Sequence, residues 1–275
     1  MNSPLRYPGG KGKLYKKVKS IIEENDLSKK TYVEPFAGGF GIGLKLLDNN
    51  VVEKAMLNDY DSHIFNFWYC VLNKTDELCK AINDVNITLD ERKKQKETYY
   101  NPDSDIFDDA FATLFLNRVN YSGIIKAGAI GGLVQTGKYK IDCRFRKNWL
   151  IDTITKISEM RKRIKIYNLD ASKFICQNLS KMKDRIFLNI DPPYVVKGAQ
   201  LYTNFFEEAD HRNLASLIKA RIPHVPWIVT YDNTTLIKEL YEEYDVYEYT
   251  LNHSAGGSKK GNELAILNKI TFKWC

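Results

Sequence analysis

The chain has 275 residues, of which 44% are hydrophobic and 27% charged, and a net charge of +7. This is globular composition, with length enough for one large core or a core carrying a smaller inserted domain. It excludes a disordered tail, a collagen-like fibre and a small disulfide scaffold.

The five cysteines (Cys70, Cys79, Cys143, Cys176, Cys275) are odd in number and form no C-x-x-C pair. They argue against a disulfide framework or a structural zinc site and fit a reducing cytoplasm. No apolar run reaches the roughly 18–20 residues that span a bilayer. The first twenty residues lack the apolar stretch and cleavage site of a signal peptide, so a cytoplasmic, non-membrane protein is expected.

The charge is unevenly placed. Residues 1–20 hold six basic and no acidic side chains, and residues 118–165 hold twelve basic against three acidic. The remainder is acidic or neutral. Basic charge concentrated in this way marks a polyanion-binding surface.

In chain order, Thr31–Val33 is β-prone and runs into a glycine-rich turn, a helix, and a second predicted strand over Val51–Leu57 that ends in Asn58-Asp59. That is a β-α-β unit, which implies parallel strands and a layered α/β core. Asp61–Leu72, Asp90–Tyr100 and Asp108–Asn117 have helical patterns, with Asn101-Pro102 breaking between two of them. Residues 121–145 lose that periodicity and hold five glycines (Gly123, Gly128, Gly131, Gly132, Gly137) before Trp149–Ile164 resumes a helix. A strand is expected over Arg185–Ile190, a helix over Asp210–Ala220, a strand over Pro226–Tyr231, a helix over Leu236–Tyr244, and a closing strand over Glu263–Trp274. Residues 61–165 thus read as a mostly helical insertion in an α/β core, carrying a glycine-rich basic loop or hairpin.

Two constellations carry chemistry. Glu34-Pro35-Phe36-Ala37-Gly38-Gly39-Phe40-Gly41-Ile42-Gly43 joins strand to helix; its glycines let backbone approach a ligand, and the helix N-terminus offers unpaired N–H groups. The spacing is G-G-x-G-x-G and not the G-x-G-x-x-G of dinucleotide folds, so a pyrophosphate is not implied. Asp59 ends the next strand, in place to accept hydrogen bonds from ribose hydroxyls, which points to a nucleoside derivative. The second constellation is Asp191-Pro192-Pro193-Tyr194, after the strand Arg185–Ile190. Its prolines fix an extended backbone and hold a carboxylate, a carbonyl and an aromatic ring at the carboxyl end of a strand. The four histidines (His63, His211, His224, His253) show no metal spacing or nucleophile partner, His63 belonging to a packed helix, and Arg92-Lys93-Lys94 reads as a solvated helix face.

PLRYPGGKGKL near the start, VEPFAGGFGIGL, LNDYD and DPPY, in that order, resemble the Dam-like DNA N6-adenine methyltransferases. FLNRVNYSG at 115–123, YTNFFEEADHRNLA at 202–215 and NHSAGGSKKGNEL at 252–264 extend the resemblance over nearly the whole chain. It implies an α/β fold, a Rossmann-like methyltransferase sheet with helices on both faces. Residues 1–60 and 166–275 would form the cofactor-binding catalytic domain and 61–165 an inserted target-recognition domain.

The resemblance further implies S-adenosylmethionine as cofactor and S-adenosylhomocysteine as product, with no metal. By position, Tyr7 and Lys11 would contact the cofactor, Pro35, Phe36, Ala37, Gly38, Gly39 and Gly41 would wrap it, Asp59 would hold its ribose and Asp170 its adenine. Asp191 would sit between cofactor and target base, with Pro192, Pro193 and Tyr194 completing the catalytic tetrapeptide and Tyr194 stacking on a flipped-out adenine. Double-stranded DNA is the expected partner, contacted by Arg118 and Asn120 of the LNRVNYSG motif, by Lys126, Lys138, Tyr139, Arg144 and Arg146 around the glycine-rich segment, and by Lys259 and Lys260. A monomer is expected, with a cognate restriction endonuclease as a further partner where the enzyme serves a restriction system. An RNA amine methyltransferase and a DNA-binding regulator with a vestigial pocket remain the alternatives.

Overall fold

The computed structural model describes all residues except 7–10, 183–184, 197–205, 254–258, 273 and 275, and the side chains of 11, 13, 251–253 and 259–260. The chain divides into two compact units. One comprises Lys11–Asp61 and Arg163–Cys275, the other Met1–Gly10 and Ser62–Lys162.

The first unit is built on a seven-stranded sheet of order β3-β2-β1-β4-β5-β7-β6 among the described residues. Its strands are β1 (Thr31–Glu34), β2 (Ala55–Asn58), β3 (Ile164–Tyr167), β4 (Ile186–Ile190), β5 (Trp227–Asp232), β6 (Asp245–His253) and β7 (Lys259–Asn268). The first five run parallel; β7 runs antiparallel to both β5 and β6. Every residue of β2 and β4 is buried, as expected for parallel strands covered on both faces. Leu188, Ile190, Trp227, Val229, Leu264 and Ile266 lie in one buried cluster with Leu214 and Ile218. The order departs from the 3-2-1-4-5-6 nucleotide-binding arrangement by the insertion of antiparallel β7 between β5 and β6, and it reverses between β1 and β4.

The helices of this unit include α1 (Tyr15–Glu24) and α2 (Gly41–Asp48) and, later in the chain, a single turn at Ala171–Phe174 after β3, the fourteen-residue helix Glu208–Arg221 between β4 and β5, and Thr235–Leu240 after β5. α1 buries Val18, Ile21 and Ile22 at helical spacing.

The second unit holds α3 (Ser62–Asn73), α4 (Thr75–Asp84), α5 (Leu89–Tyr100), α6 (Ile106–Val119) and α7 (Lys147–Glu159). Asp105 caps α6 by accepting from the N–H groups of Phe107 and Asp108 (2.7 and 2.9 Å), satisfying donors that would otherwise be orphaned at the helix start. α6 is buried continuously from Asp109 to Val119, so it is the unit's axis. Residues 121–146 form irregular backbone and two short 3-10 turns, Tyr121–Gly123 and Ile141–Arg144, with Asn120 bridging to Ala129. No helix among the described residues is long and apolar enough to cross a membrane.

Several expectations need correction. Residues 1–10, assigned with the sheet, cluster with the helices because Arg6 is bonded to α6. The helix expected over Trp149–Ile164 ends at Glu159, and Ile164–Tyr167, where no strand was expected, is β3, its four residues paired with Ala55–Asn58. The closing strand begins at Lys259 and ends at Asn268, earlier at both ends than expected.

Candidate functional site

The two constellations meet at the order reversal. β1 and β4 are hydrogen-bonded neighbours, with Val33 opposite Leu188, so the glycine turn and Asp191 leave the same sheet edge side by side. That is where open α/β sheets bind ligands.

The glycine turn is held open by a lattice of backbone bonds. Gly38 sits at φ +46°, a conformation open to glycine at little cost, and its N–H donates to Asp59 Oδ2 (2.7 Å). Asp59 Oδ1 accepts from Asp61 N–H (3.0 Å). Each oxygen retains a second lone pair toward an incoming hydroxyl. Burial raises the Asp59 carboxyl to about 7, against the two backbone donors that favour its charged form.

Asn58, fully buried, is a residue that sequence reasoning missed. Its Nδ2 donates to the carbonyls of Pro35 and Leu169 (2.9 Å each), and its Oδ1 accepts from Leu169 N–H (3.0 Å). One side chain thus ties together the carboxyl ends of β1, β2 and β3. Asp170 follows, capping the next turn through Ser172 and Lys173 N–H (3.0 and 3.2 Å). Pro35, Ala37 and Gly39 are buried, Phe36 is half-buried, and Gly41 opens α2. Glu34, at the end of β1, accepts from Tyr32 Oη (2.8 Å) and Gly43 N–H (3.2 Å); burial pushes its carboxyl up to about 8. Tyr7 and the side chain of Lys11 lie outside the described residues.

Asp191 is half-buried and accepts from Thr230 Oγ1 (2.8 Å). Pro192 is buried, Pro193 half-buried. Tyr194 is only 3% exposed, so its ring is not an open platform in this conformation. Its hydroxyl donates to Glu263 Oε1 (2.7 Å), and Tyr249 Oη donates to the other oxygen of the same carboxylate (2.8 Å). Asp232 accepts from the N–H groups of Val195 and Val196 (3.0 Å each).

In the helical unit, Arg118 and Asn120 are corrected from DNA contacts to internal struts. Arg118 is 5% exposed; its Nε donates to Arg144 O (2.8 Å), its Nη2 bonds the same carbonyl, and its Nη1 donates to Pro4 O (3.3 Å). Burial, then Arg6, Arg146 and Arg144, lower its guanidinium to about 10. Asn120 is fully buried, accepting from Arg92 Nε (2.7 Å) and donating to Ile125 O (2.8 Å). Arg92 also donates to Ala127 O (3.0 Å), so it braces the loop and is not a solvated face. Asn117 grips Arg6 through both its N–H and its carbonyl (2.7 and 3.0 Å). Gly123 lies so close beneath that a Cβ there would stand 2.0 Å from the Arg6 carbonyl oxygen.

Lys126, Lys138, Tyr139, Arg144 and Arg146 are exposed, as are Tyr121 and Lys140. Arg146 lies over the Trp149 ring at 5.2 Å, which orients an exposed guanidinium. His63 stacks on Tyr99 with centroids 3.8 Å apart. The side chains of Lys259 and Lys260 lie outside the described residues.

With this geometry in place, similarity decides the family. The model of the D12 class N6 adenine-specific DNA methyltransferases matches residues 7–254. The chain belongs to that family. It is an adenine-specific DNA methyltransferase, and DNA is its substrate. The DNA adenine methylase of Escherichia coli (strain K12) is 23% identical, covering 96% of this chain and 94% of its own. Type II methyltransferase M.MjaIII of Methanocaldococcus jannaschii is 25% identical over 69% of this chain and 68% of its own. Among solved structures, a SAM dependent methyltransferase from Agrobacterium tumefaciens aligns at 10% identity and TM-score 0.44, over 93% of this chain and 60% of that one.

Proposed function

We propose that this D12 class methyltransferase moves a methyl group from S-adenosylmethionine to the N6 amine of an adenine flipped out of duplex DNA. The observation that carries the reading is the placement of the glycine turn and Asp191 on neighbouring strands at the order reversal of the sheet. The cofactor pocket fits a nucleoside: a glycine-lined turn for close backbone approach, and Asp59 with acceptor capacity on both oxygens. Asp59 would hold the ribose, the segment 35–41 the body of the cofactor, and Asp170 its adenine. The cofactor supplies an electrophilic methyl on a sulfonium.

The amine of adenine is a poor nucleophile because its lone pair is delocalised into the ring. Asp191 and the Pro192 carbonyl each accept one N–H, turning the nitrogen toward tetrahedral geometry and localising the lone pair. The positive charge that methyl transfer would place on this nitrogen would lie beside the Asp191 carboxylate, which would stabilise it and take the proton. A base inside a duplex cannot reach this pocket, so the adenine must be extruded. Tyr194 would stack on the extruded base while its hydroxyl stays anchored on Glu263.

In the same reading the helical unit, 62–162 with 1–10, is the target-recognition domain, its exposed Lys126, Lys138, Lys140, Arg144 and Arg146 meeting phosphates. Labelled-methyl transfer to duplex DNA, single-stranded DNA and RNA, followed by nucleoside analysis, tests the whole reading. N6-methyladenine in duplex DNA, reduced by about a hundredfold or more in Asp191→Ala, is the expected result. Transfer to RNA in preference, or a fully active Asp191→Ala, overturns it.

A further inference from the structure

The outer half of the sheet carries a row of polar side chains where core is expected. β5 offers Thr230 and Asp232, two residues apart and therefore on one face. Directly across from Asp232 on β7 stands Glu263, and directly across from Glu263 on β6 stands Tyr249. Thr230 and Glu263 are buried to 0% and 1% exposure.

Two carboxylates directly opposite each other on adjacent strands repel, which costs stability. Packing alone gives no reason to set fully buried Glu263 against half-buried Asp232. What offsets the repulsion here is the segment 191–196. Val195 and Val196 give their N–H groups to Asp232, and Tyr194 gives its hydroxyl to Glu263, with Tyr249 supplying the remaining donor. Thr230 completes the set by donating to Asp191 itself. A segment whose two prolines have no N–H to give to a sheet is thereby fixed at its first residue, its fourth, and the two that follow.

We propose that Thr230, Asp232 and Glu263 form a three-point clamp that presets the catalytic tetrapeptide, with Thr230 the positioning residue that sets the plane of the Asp191 carboxylate. The strands β5 and β7 therefore do more than close the sheet: they hold the methyl-accepting end of the site in its reactive geometry. This inference rests on the assignment of Asp191 as the acceptor for the target amine. The clamp acts on the orientation of a group already present, so it governs turnover and leaves ligand affinity alone.

Thr230→Val keeps the shape of the side chain and removes its donor; Thr230→Ser keeps the donor. A hydrogen bond to a charged group is worth enough that Thr230→Val is expected to lower single-turnover kcat by about tenfold to a hundredfold. KM for DNA and affinity for S-adenosylhomocysteine should stay within about twofold, and Thr230→Ser should recover most of the rate. Wild-type kcat in Thr230→Val overturns the clamp. So does equal impairment in both variants, which would make the missing contact one of packing. Should Thr230→Val lose its fold by circular dichroism, Glu263→Gln carries the test from the Tyr194 end, with the same split between kcat and KM expected and an unchanged kcat overturning it. Asp191→Ala separates the two levels: an active Asp191→Ala defeats the functional reading, whereas an inactive one beside a fully active Thr230→Val defeats the clamp alone.

Discussion

Asp59 shows how a residue's surroundings turn its charge into a dial. Its carboxyl sits near 7 because burial outweighs the two N–H groups that favour ionisation. In the proposed cofactor site, ribose hydroxyls donate to this group, and a proton on it removes acceptor capacity. Ligand binding therefore favours the carboxylate and releases the proton. Affinity for S-adenosylhomocysteine is expected to rise about tenfold from pH 6 to pH 8 and then level off, with proton release below pH 7 that calorimetry in buffers of different ionisation enthalpy reads directly. A flat profile across that interval would show that Asp59 meets no donor from the ligand.

Which residues of the site were legible in the sequence follows from where their chemistry shows. Asp59 and Asp191 stand just past apolar strands, Asp191 directly before two prolines, where a polar residue has few structural duties. Asn58, Thr230 and Glu263 sit inside strands, and period and composition make them look like core. Their signal is the inverse one: a fully buried polar residue in an apolar run must be paired, and an expected strand such as Glu263–Trp274 that begins with an acid invites the question of what that acid holds. Arg118 and Asn120 were misread for the opposite reason. A motif specific to a family reads as function, yet these side chains spend their donors on carbonyls within their own unit.

Elements explain what those two residues do. α6 ends in a knot where Asn117, Arg118 and Asn120 bind Arg6, Pro4, Arg144 and the 125–129 backbone. The N-terminal segment and the basic loop are thereby strapped to the same helix end. Arg118→Ala strands the buried Pro4 carbonyl, leaves the part-buried Arg144 carbonyl without its donors, and is expected to cost roughly 2–4 kcal/mol of stability, read by thermal or urea unfolding. Arg146→Ala removes an exposed cation and should leave stability within about 0.5 kcal/mol while weakening DNA binding. The reverse pattern would return Arg118 to the DNA surface. This division was invisible in composition, since both are basic residues in one basic stretch. The β-α-β start, the strands over Arg185–Ile190 and Pro226–Tyr231 and the helices over Asp61–Leu72, Asp90–Tyr100, Asp108–Asn117, Trp149–Ile164, Asp210–Ala220 and Leu236–Tyr244 were visible, at least in part, because glycine, proline or a leading acid marks their ends. β3 was not, because four residues with a lysine among them leave no period to read.

Across the whole molecule the +7 resolves into two kinds of positive charge. Some is consumed internally, as at Arg6, Arg92 and Arg118, where guanidinium groups are turned toward carbonyls. The rest, Lys126, Lys138, Lys140, Arg144 and Arg146, is exposed on one irregular stretch. If those five groups each neutralise a phosphate, the logarithm of DNA affinity should fall against the logarithm of salt with a slope of about −4 to −5. Fluorescence anisotropy from 50 to 300 mM salt measures it, and a slope near zero would remove the stretch from the interface.

Among the described residues the sheet also has two open margins, β3 and β6. An unpaired strand margin is a template on which a foreign strand can add, the first step toward fibrous aggregation. β3 is four residues long with Lys165 exposed on it; β6, which is longer, exposes Asp245 and Glu248. A visiting strand would find too little length on one side and, on the other, Asp245 beside the Lys238–Glu248 ion pair, whose charges it would have to strip of water. Copies of this sheet that met margin to margin, β3 against β6, would find only four residues of ladder to pair.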